Sequence, residues 1–259
     1  MKEKEENSVI NIGAIPRRLI VLDIDENLVS IKLDSSSRCF LSKSAREDLS
    51  KSDDGKIYNP VLLVNEKGSA NAYEVTAFRR KAWKTFFEKC IEVNKKYKEK
   101  TGDPKELISV MFLTNATYTP NEFINNIFKP FYGATLADDL LSNASYINRT
   151  GQCALLNQNK PDKGSFLDKV YFYLKKRYGL TSRQDIILVD DSLENIIGVE
   201  EKRFAGIHHP SNNSKTNFFK PYSKHKHEPF QKLYSILDEV VTSYTRDISY
   251  RVKTSNQVL

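Results

Sequence analysis

The residues from Arg17 to Val29 (Arg-Arg-Leu-Ile-Val-Leu-Asp-Ile-Asp-Glu-Asn-Leu-Val) constrain the fold more than any other stretch of the chain. An apolar run with β-branched residues, entered from two cations and left through acids, fits a strand buried on both faces that ends in a charged loop. Side chains alternate along an extended chain, so Asp23 and Asp25 share a side while Ile24 turns away into packing. Neighbouring carboxylates raise each other's pKa, and a bound divalent cation would keep both ionised. A solvated acidic turn is the other reading of an isolated Asp-x-Asp, and the rest of the chain has to choose between them.

Two later apolar runs end in the same way. Residues 107–113 lead into Thr114-Asn115, and residues 185–189 lead into Asp190-Asp191-Ser192-Leu193-Glu194-Asn195. Between these runs, Asp162 is suited to N-cap a helix with Phe166, Leu167, Val170, Leu174 and Tyr178 on its inner face and Gly179 at its close. Lys163 falls in the first turn, where a cation opposes the helix dipole, a small misfit that suits a lysine with another task. Residues 204–207 add a short strand. Strands alternating with helices predict an α/β fold, a Rossmann-like three-layer sandwich around a mainly parallel central sheet. Ligands of such sheets bind beyond the carboxyl ends of the strands where the winding reverses. Asp23, Asp25, Thr114, Asp190 and Asp191 all fall at strand ends of this kind.

The remaining segments organise around that frame. Residues 1–16 read as a flexible leader and 17–250 as a single domain. Within 30–77, Ser, Asp and Lys clusters signal loops with at most a short helix, and 60–64 and 72–75 pair as a β-hairpin, a flap over the carboxylates. A helix over 78–100 carries Phe78, Ala82, Trp83, Phe86, Phe87 and Cys90 inward, with the Lys95–Lys100 run as its solvated tail. Phe123, Ile127 and Phe128 mark a helix after Pro120. The stretch 130–160 is an irregular, small cap-like insertion with a helical patch at 136–141 and strands at 146–148 and 153–156. His208, His209, His225 and His227 lie in a region rich in turn residues and read as exposed loop histidines rather than a metal set. Phe230, Leu233, Tyr234, Leu237, Val240, Val241 and Tyr244 recur at helical spacing in a C-terminal helix over 228–250, before a tail at 251–259.

Composition sets outer bounds. The 259 residues, 39% hydrophobic and 28% charged, suffice for one α/β domain with insertions. A net charge of +7 favours an anionic partner: a phosphorylated molecule, a nucleic acid or an acidic surface. No other feature supports nucleic acid. Cys39, Cys90 and Cys153 lack paired spacing, which points away from zinc and disulfides and towards a reducing compartment. A charged start without an apolar segment, and no run of membrane-spanning length, predict a cytoplasmic protein with no membrane span.

Taken in order, Asp23-Ile24-Asp25, Leu113-Thr114-Asn115, Lys163 and Asp190–Asn195 resemble the four motifs of the haloacid dehalogenase superfamily of phosphohydrolases, across about residues 17–207. Asn27 departs from the pattern, since most members have Thr or Val there. The resemblance implies a Mg²⁺-dependent phosphatase that hydrolyses a phosphate monoester through an aspartyl-phosphate on Asp23, with Asp25 as general acid and base. It further implies that Thr114 and Asn115 donate to the phosphoryl oxygens and that Lys163 offsets the negative charge. Mg²⁺ would be held by the Asp23 carboxylate, the backbone carbonyl of Asp25 and Asp191, with Asp190 and Asn195 in support; all-oxygen ligands suit magnesium. The expected substrate is a phosphorylated small metabolite or a phosphoprotein. The alternatives are a catalytically silent binding module of the same fold, against which both first-motif acids argue, and a phosphotransferase.

Overall fold

The structure, a computed structural model, describes residues 15–33, 58–64, 70–77, 79–114, 121, 123–141, 162–210 and 228–255. The apolar run after Arg17 forms β1 (Arg18–Leu22). Next come β2 (Val29–Leu33), β3 (Tyr58–Val64) and β4 (Ala70–Ala77), then α1 (Arg80–Thr101), β5 (Ile108–Phe112), α2 (Lys129–Tyr132) and α3 (Ala134–Leu141). The motif-bearing second half contributes α4 (Lys163–Tyr178), β6 (Ile186–Asp190), α5 (Leu193–Glu201) and β7 (Ala205–His208), and α6 (Glu228–Ser255) closes the chain.

β1, β5, β6 and β7 form one sheet in the order β5-β1-β6-β7, with every pairing parallel. Alternate residues of β1 feed two cores. Ile20 and Leu22 pack with Trp83, Phe86 and Phe87 of α1 and Leu233 and Leu237 of α6. On the other face, Leu19 and Val21 pack with Phe166, Leu167 and Leu174 of α4 and Ile196 and Val199 of α5. Helices therefore cover both faces, giving the three layers of an α/β sandwich. The chain runs from β1 outward to β5 and then returns to β6 on the opposite side of β1, so the reversal lies between β1 and β6. Ligands of parallel sheets bind at such a point, beyond the strand tips.

A second sheet, antiparallel and ordered β2-β4-β3, grows out of the turn after β1. Its base is the pair Val29 and Ala77, both fully buried in the main core. The strands expected near 60–64 and 72–75 are thus present and antiparallel, and β2 is an addition to the loop expected from residue 30 onward. Its sequence, Val-Ser-Ile-Lys-Leu, alternates with strand period, a signal masked by the polar cluster that follows it. Residues 34–57 and 65–69, including the hairpin's turn, lie outside the described residues.

Elsewhere the expectations meet the packing unevenly. The Lys95–Lys100 run is not wholly solvated: Tyr97 is buried, accepting a hydrogen bond from Arg17 at 3.2 Å and donating one to Asp103 at 3.0 Å. Arg17 also donates to the carbonyls of Lys105 (2.9 Å) and Glu106 (2.7 Å), tying the start of β1 to the loop before β5. The segment Phe123–Phe128 is a π-helical turn, not an α-helix, and buries Phe123, Ile127 and Phe128, the two phenyl rings against Phe112. The helical patch near 136–141 is α3, while the strands expected at 146–148 and 153–156 lie outside the described residues. The terminal helix α6 runs on to Ser255, past the expected end at 250. Among the described residues no helix is long and apolar enough to cross a membrane.

Candidate active site

The tips of β1 and β6 bring the acids together. Asp23 follows β1 directly, and its backbone N–H still donates to Val189 O of β6 at 3.0 Å, which sets it beside Asp190. Lys163 reaches the same point from α4. That helix is N-capped by Asp162, whose carboxylate accepts from the Ser165 N–H at 2.6 Å. A close approach lets α4 come in: a Cβ on Gly164 would stand 2.6 Å from the Gly198 carbonyl carbon of α5. The Lys163 Nζ then lies 2.6 Å from Asp23 Oδ1 and 2.6 Å from Asp190 Oδ2, with side-chain exposures of 3%, 9% and 0% for the three residues.

The remaining acids surround this core. Asp190 Oδ1 accepts from the Ser192 N–H (2.9 Å) and from Asn195 Nδ2 (3.1 Å), so both its oxygens are engaged. Asp191, half-buried, offers a carboxylate oxygen; one such atom from each of Asp23, Asp190 and Asp191 lies within 4.8 Å of the others. Asp25 is not one of these three. Its Oδ2 instead accepts a hydrogen bond of 2.7 Å from Thr114 Oγ1, just past the end of β5. Asn115 lies outside the described residues.

Charge in this cluster is unbalanced. Burial raises the Asp23 carboxyl well above the ordinary range; Lys163 pulls against that rise, and Asp190 and Asp25 add to it. Burial likewise brings Asp191 up to about 6, with Asp190 and Glu26 reinforcing the rise and Lys163 opposing it. Burial would lower the Lys163 ammonium, but the paired attraction of Asp23 and Asp190 outweighs it and the net shift is upward. One lysine thus sits among several carboxylates. A divalent cation fits both the charge deficit and the donor set, which is all oxygen and so matches a hard ion such as Mg²⁺.

Three features escaped the sequence reading. Asn27, fully buried, donates from Nδ2 to Asp23 O (2.9 Å) and Val189 O (3.2 Å), and its Oδ1 has no partner. Glu26 beside it adopts the left-handed conformation (φ 57°), which closes the tight turn after the acid pair. His209 corrects the expectation of exposed loop histidines: it is buried against Trp83 and Phe230, and its backbone N–H donates to Asp190 O at 2.8 Å. Its Nε2 meets the guanidinium of Arg79, a donor only, so the ring proton belongs on Nδ1, which is buried without a partner. Burial, then Arg79 and His208, push its pKa down to about 3. His208 is exposed as expected, with Nε2 2.9 Å from Asp191 O; His225 and His227 lie outside the described residues. The departure at Asn27 was visible as a motif mismatch, whereas His209 had no local signal.

No family model matches the chain, and no curated protein matches it. The fold is α/β with an all-parallel four-stranded sheet, and the functional reading therefore rests on the site itself.

Proposed function

We propose that this chain is a Mg²⁺-dependent phosphatase of the haloacid dehalogenase type, acting on a phosphate monoester. One observation carries the reading: Asp23, Lys163, Asp190 and Asp191, drawn from three remote segments, converge at the reversal point of a parallel sheet, with one ammonium clasped by two carboxylates. Phosphoryl transfer depends chiefly on positioning and charge neutralisation, and this cluster supplies both.

Asp23 attacks phosphorus, forming an aspartyl-phosphate as the bond to the leaving oxygen breaks, and Asp25 gives that oxygen its proton. Water then attacks the acyl phosphate, Asp25 takes a proton from the water, and inorganic phosphate leaves. The Thr114 hydroxyl, bonded to Asp25, orients the proton carrier between these two duties. Lys163 offsets the charge of Asp23 as the phosphoryl group arrives. Asp23, the Asp25 carbonyl and Asp191 would hold Mg²⁺, with Asp190 and Asn195 behind them. Bound there, the ion supplies electrostatic neutralisation of the carboxylates and the incoming phosphate.

The β2-β4-β3 sheet starts at Val29, four residues past Asp25 and bridged to it. This supports a role as the flap that covers the site and selects between phosphorylated small metabolites and phosphoproteins. Hydrolysis of an aryl phosphate with and without Mg²⁺, wild type against Asp23→Asn, tests the proposal. The wild type is expected to be Mg²⁺-dependent and the variant slower by at least about 10³-fold. Equal rates would remove Asp23 from its role; a wild type inactive with Mg²⁺ would refute the phosphatase reading.

A further inference from the structure

We infer that Asn27 is a positioning residue for the cation and phosphoryl site, acting as a side-chain staple between the tips of β1 and β6. The inference rests on reading the site as a Mg²⁺-dependent centre. Asn27 Nδ2 donates to two main-chain carbonyls from different strands, Asp23 O at 2.9 Å and Val189 O at 3.2 Å. Those carbonyls belong to the peptide leaving Asp23 and the peptide entering Asp190. One planar amide thus spans the two points from which the Lys163-clasping carboxylates hang, and with the backbone bond from the Asp23 N–H to the same Val189 carbonyl it fixes the gap between them. The turn's own backbone bonds, from the Leu28 and Val29 N–H groups to Ile24 O at 2.9 and 3.0 Å, shape the loop without reaching β6.

The unpartnered Oδ1 sharpens the point. Burying an acceptor without a donor is unfavourable, and the Val common at this position in the resembled family would avoid it. What the amide provides in return is two hydrogens on one atom, enough for both carbonyls; a Thr hydroxyl has one, and Val has none. Groups behind the ligands of a metal commonly govern affinity in this way.

The test uses the full chain as wild type, Asn27→Thr and Asn27→Val. It measures Mg²⁺ affinity by calorimetry at pH 7.5 and metal-free thermal unfolding on the same samples. The expected Mg²⁺ dissociation constant rises about 10- to 100-fold in the Val variant and by a smaller factor in the Thr variant, with metal-free melting changed far less in proportion. A purely structural residue would shift the melting and leave the affinity of the folded protein alone. Unchanged affinity in Asn27→Val, with a wild type that binds Mg²⁺, overturns the staple and leaves the phosphatase reading standing. A wild type that binds no Mg²⁺ overturns both. Should the Val variant not fold, Asn27→Thr decides: weakened binding supports the staple and wild-type binding refutes it.

Discussion

Replacing Lys163 by Met keeps the length and apolar volume of the side chain and removes the charge that two buried carboxylates share at 2.6 Å each. Removing one partner of a buried ion pair costs about 3–5 kcal/mol, because the opposite charge stays behind uncompensated. The variant has one escape, which is to fold with a carboxyl protonated. A carboxyl group of ordinary pKa 3.8 takes up a proton at a cost of about 1.4 kcal/mol per pH unit above that value, so about 5 kcal/mol at pH 7.5 and about 1.6 kcal/mol at pH 5. The Asp23 carboxyl is raised above the unfolded value in the fold. Stability from keeping it protonated is therefore present at low pH and lost as pH rises, and the deficit of the variant must shrink on acidification. The assay is urea unfolding of metal-free wild type and Lys163→Met at pH 7.5 and pH 5. A loss of about 3–5 kcal/mol at the higher pH, falling to about 1–2 at the lower, is expected. A loss below about 1 kcal/mol at pH 7.5, or one equal at both values, would refute the idea that this lysine holds the cluster together by charge.

Two glycines at one helix contact should respond differently. A Cβ on Gly164 runs into the Gly198 carbonyl, 2.6 Å from its carbon and closer still to its oxygen, whereas a Cβ on Gly198 has as its nearest neighbour the Asp162 carboxylate at an ordinary 3.4 Å. Gly164→Ala should cost about 1–3 kcal/mol and push Lys163 out of place, while Gly198→Ala is near neutral; chemical denaturation of both reads the contrast. His209, held near pKa 3 against an ordinary 6.5, must stay neutral in the folded state. Its contribution is complete above pH 6.5 and declines as pH falls towards 3, by about 2 kcal/mol at pH 5. His209→Phe should flatten that part of the stability–pH curve, and an unchanged slope would show that the ring titrates normally.

The central strands were legible because β1 and β6 carry continuous apolar runs and β5 one interrupted only by Ser109, the form a strand takes when both faces are covered. The acids were legible because each run stops at a carboxylate or hydroxyl, and Lys163 betrayed itself by standing at the wrong end of a helix dipole. What the sequence hid depended on distant partners. Tyr97 sits inside a lysine run and is buried because Arg17, eighty residues earlier, bonds its hydroxyl. His209 is one of two adjacent histidines in polar company, and it is buried because Trp83 and Phe230 close over it from two different helices. Asn27 reads as a polar turn residue until β6 arrives beside β1. The alternation of β2 was local and readable, but the loop signals that follow it dominate a longer window.

The strand order has a consequence for how the molecule would fail. The acids hang from β1 and β6, the inner pair of the four, while β5 and β7 form the margins. Fraying begins at margins, so mild heat or denaturant can loosen either flank while Asp23, Lys163 and Asp190 stay assembled, although loosening β5 releases the Thr114 hydroxyl from Asp25. The acid–lysine cluster should then persist until the whole domain collapses, which makes it the most durable part of the centre, and any earlier loss of activity would mark the release of Asp25 by β5.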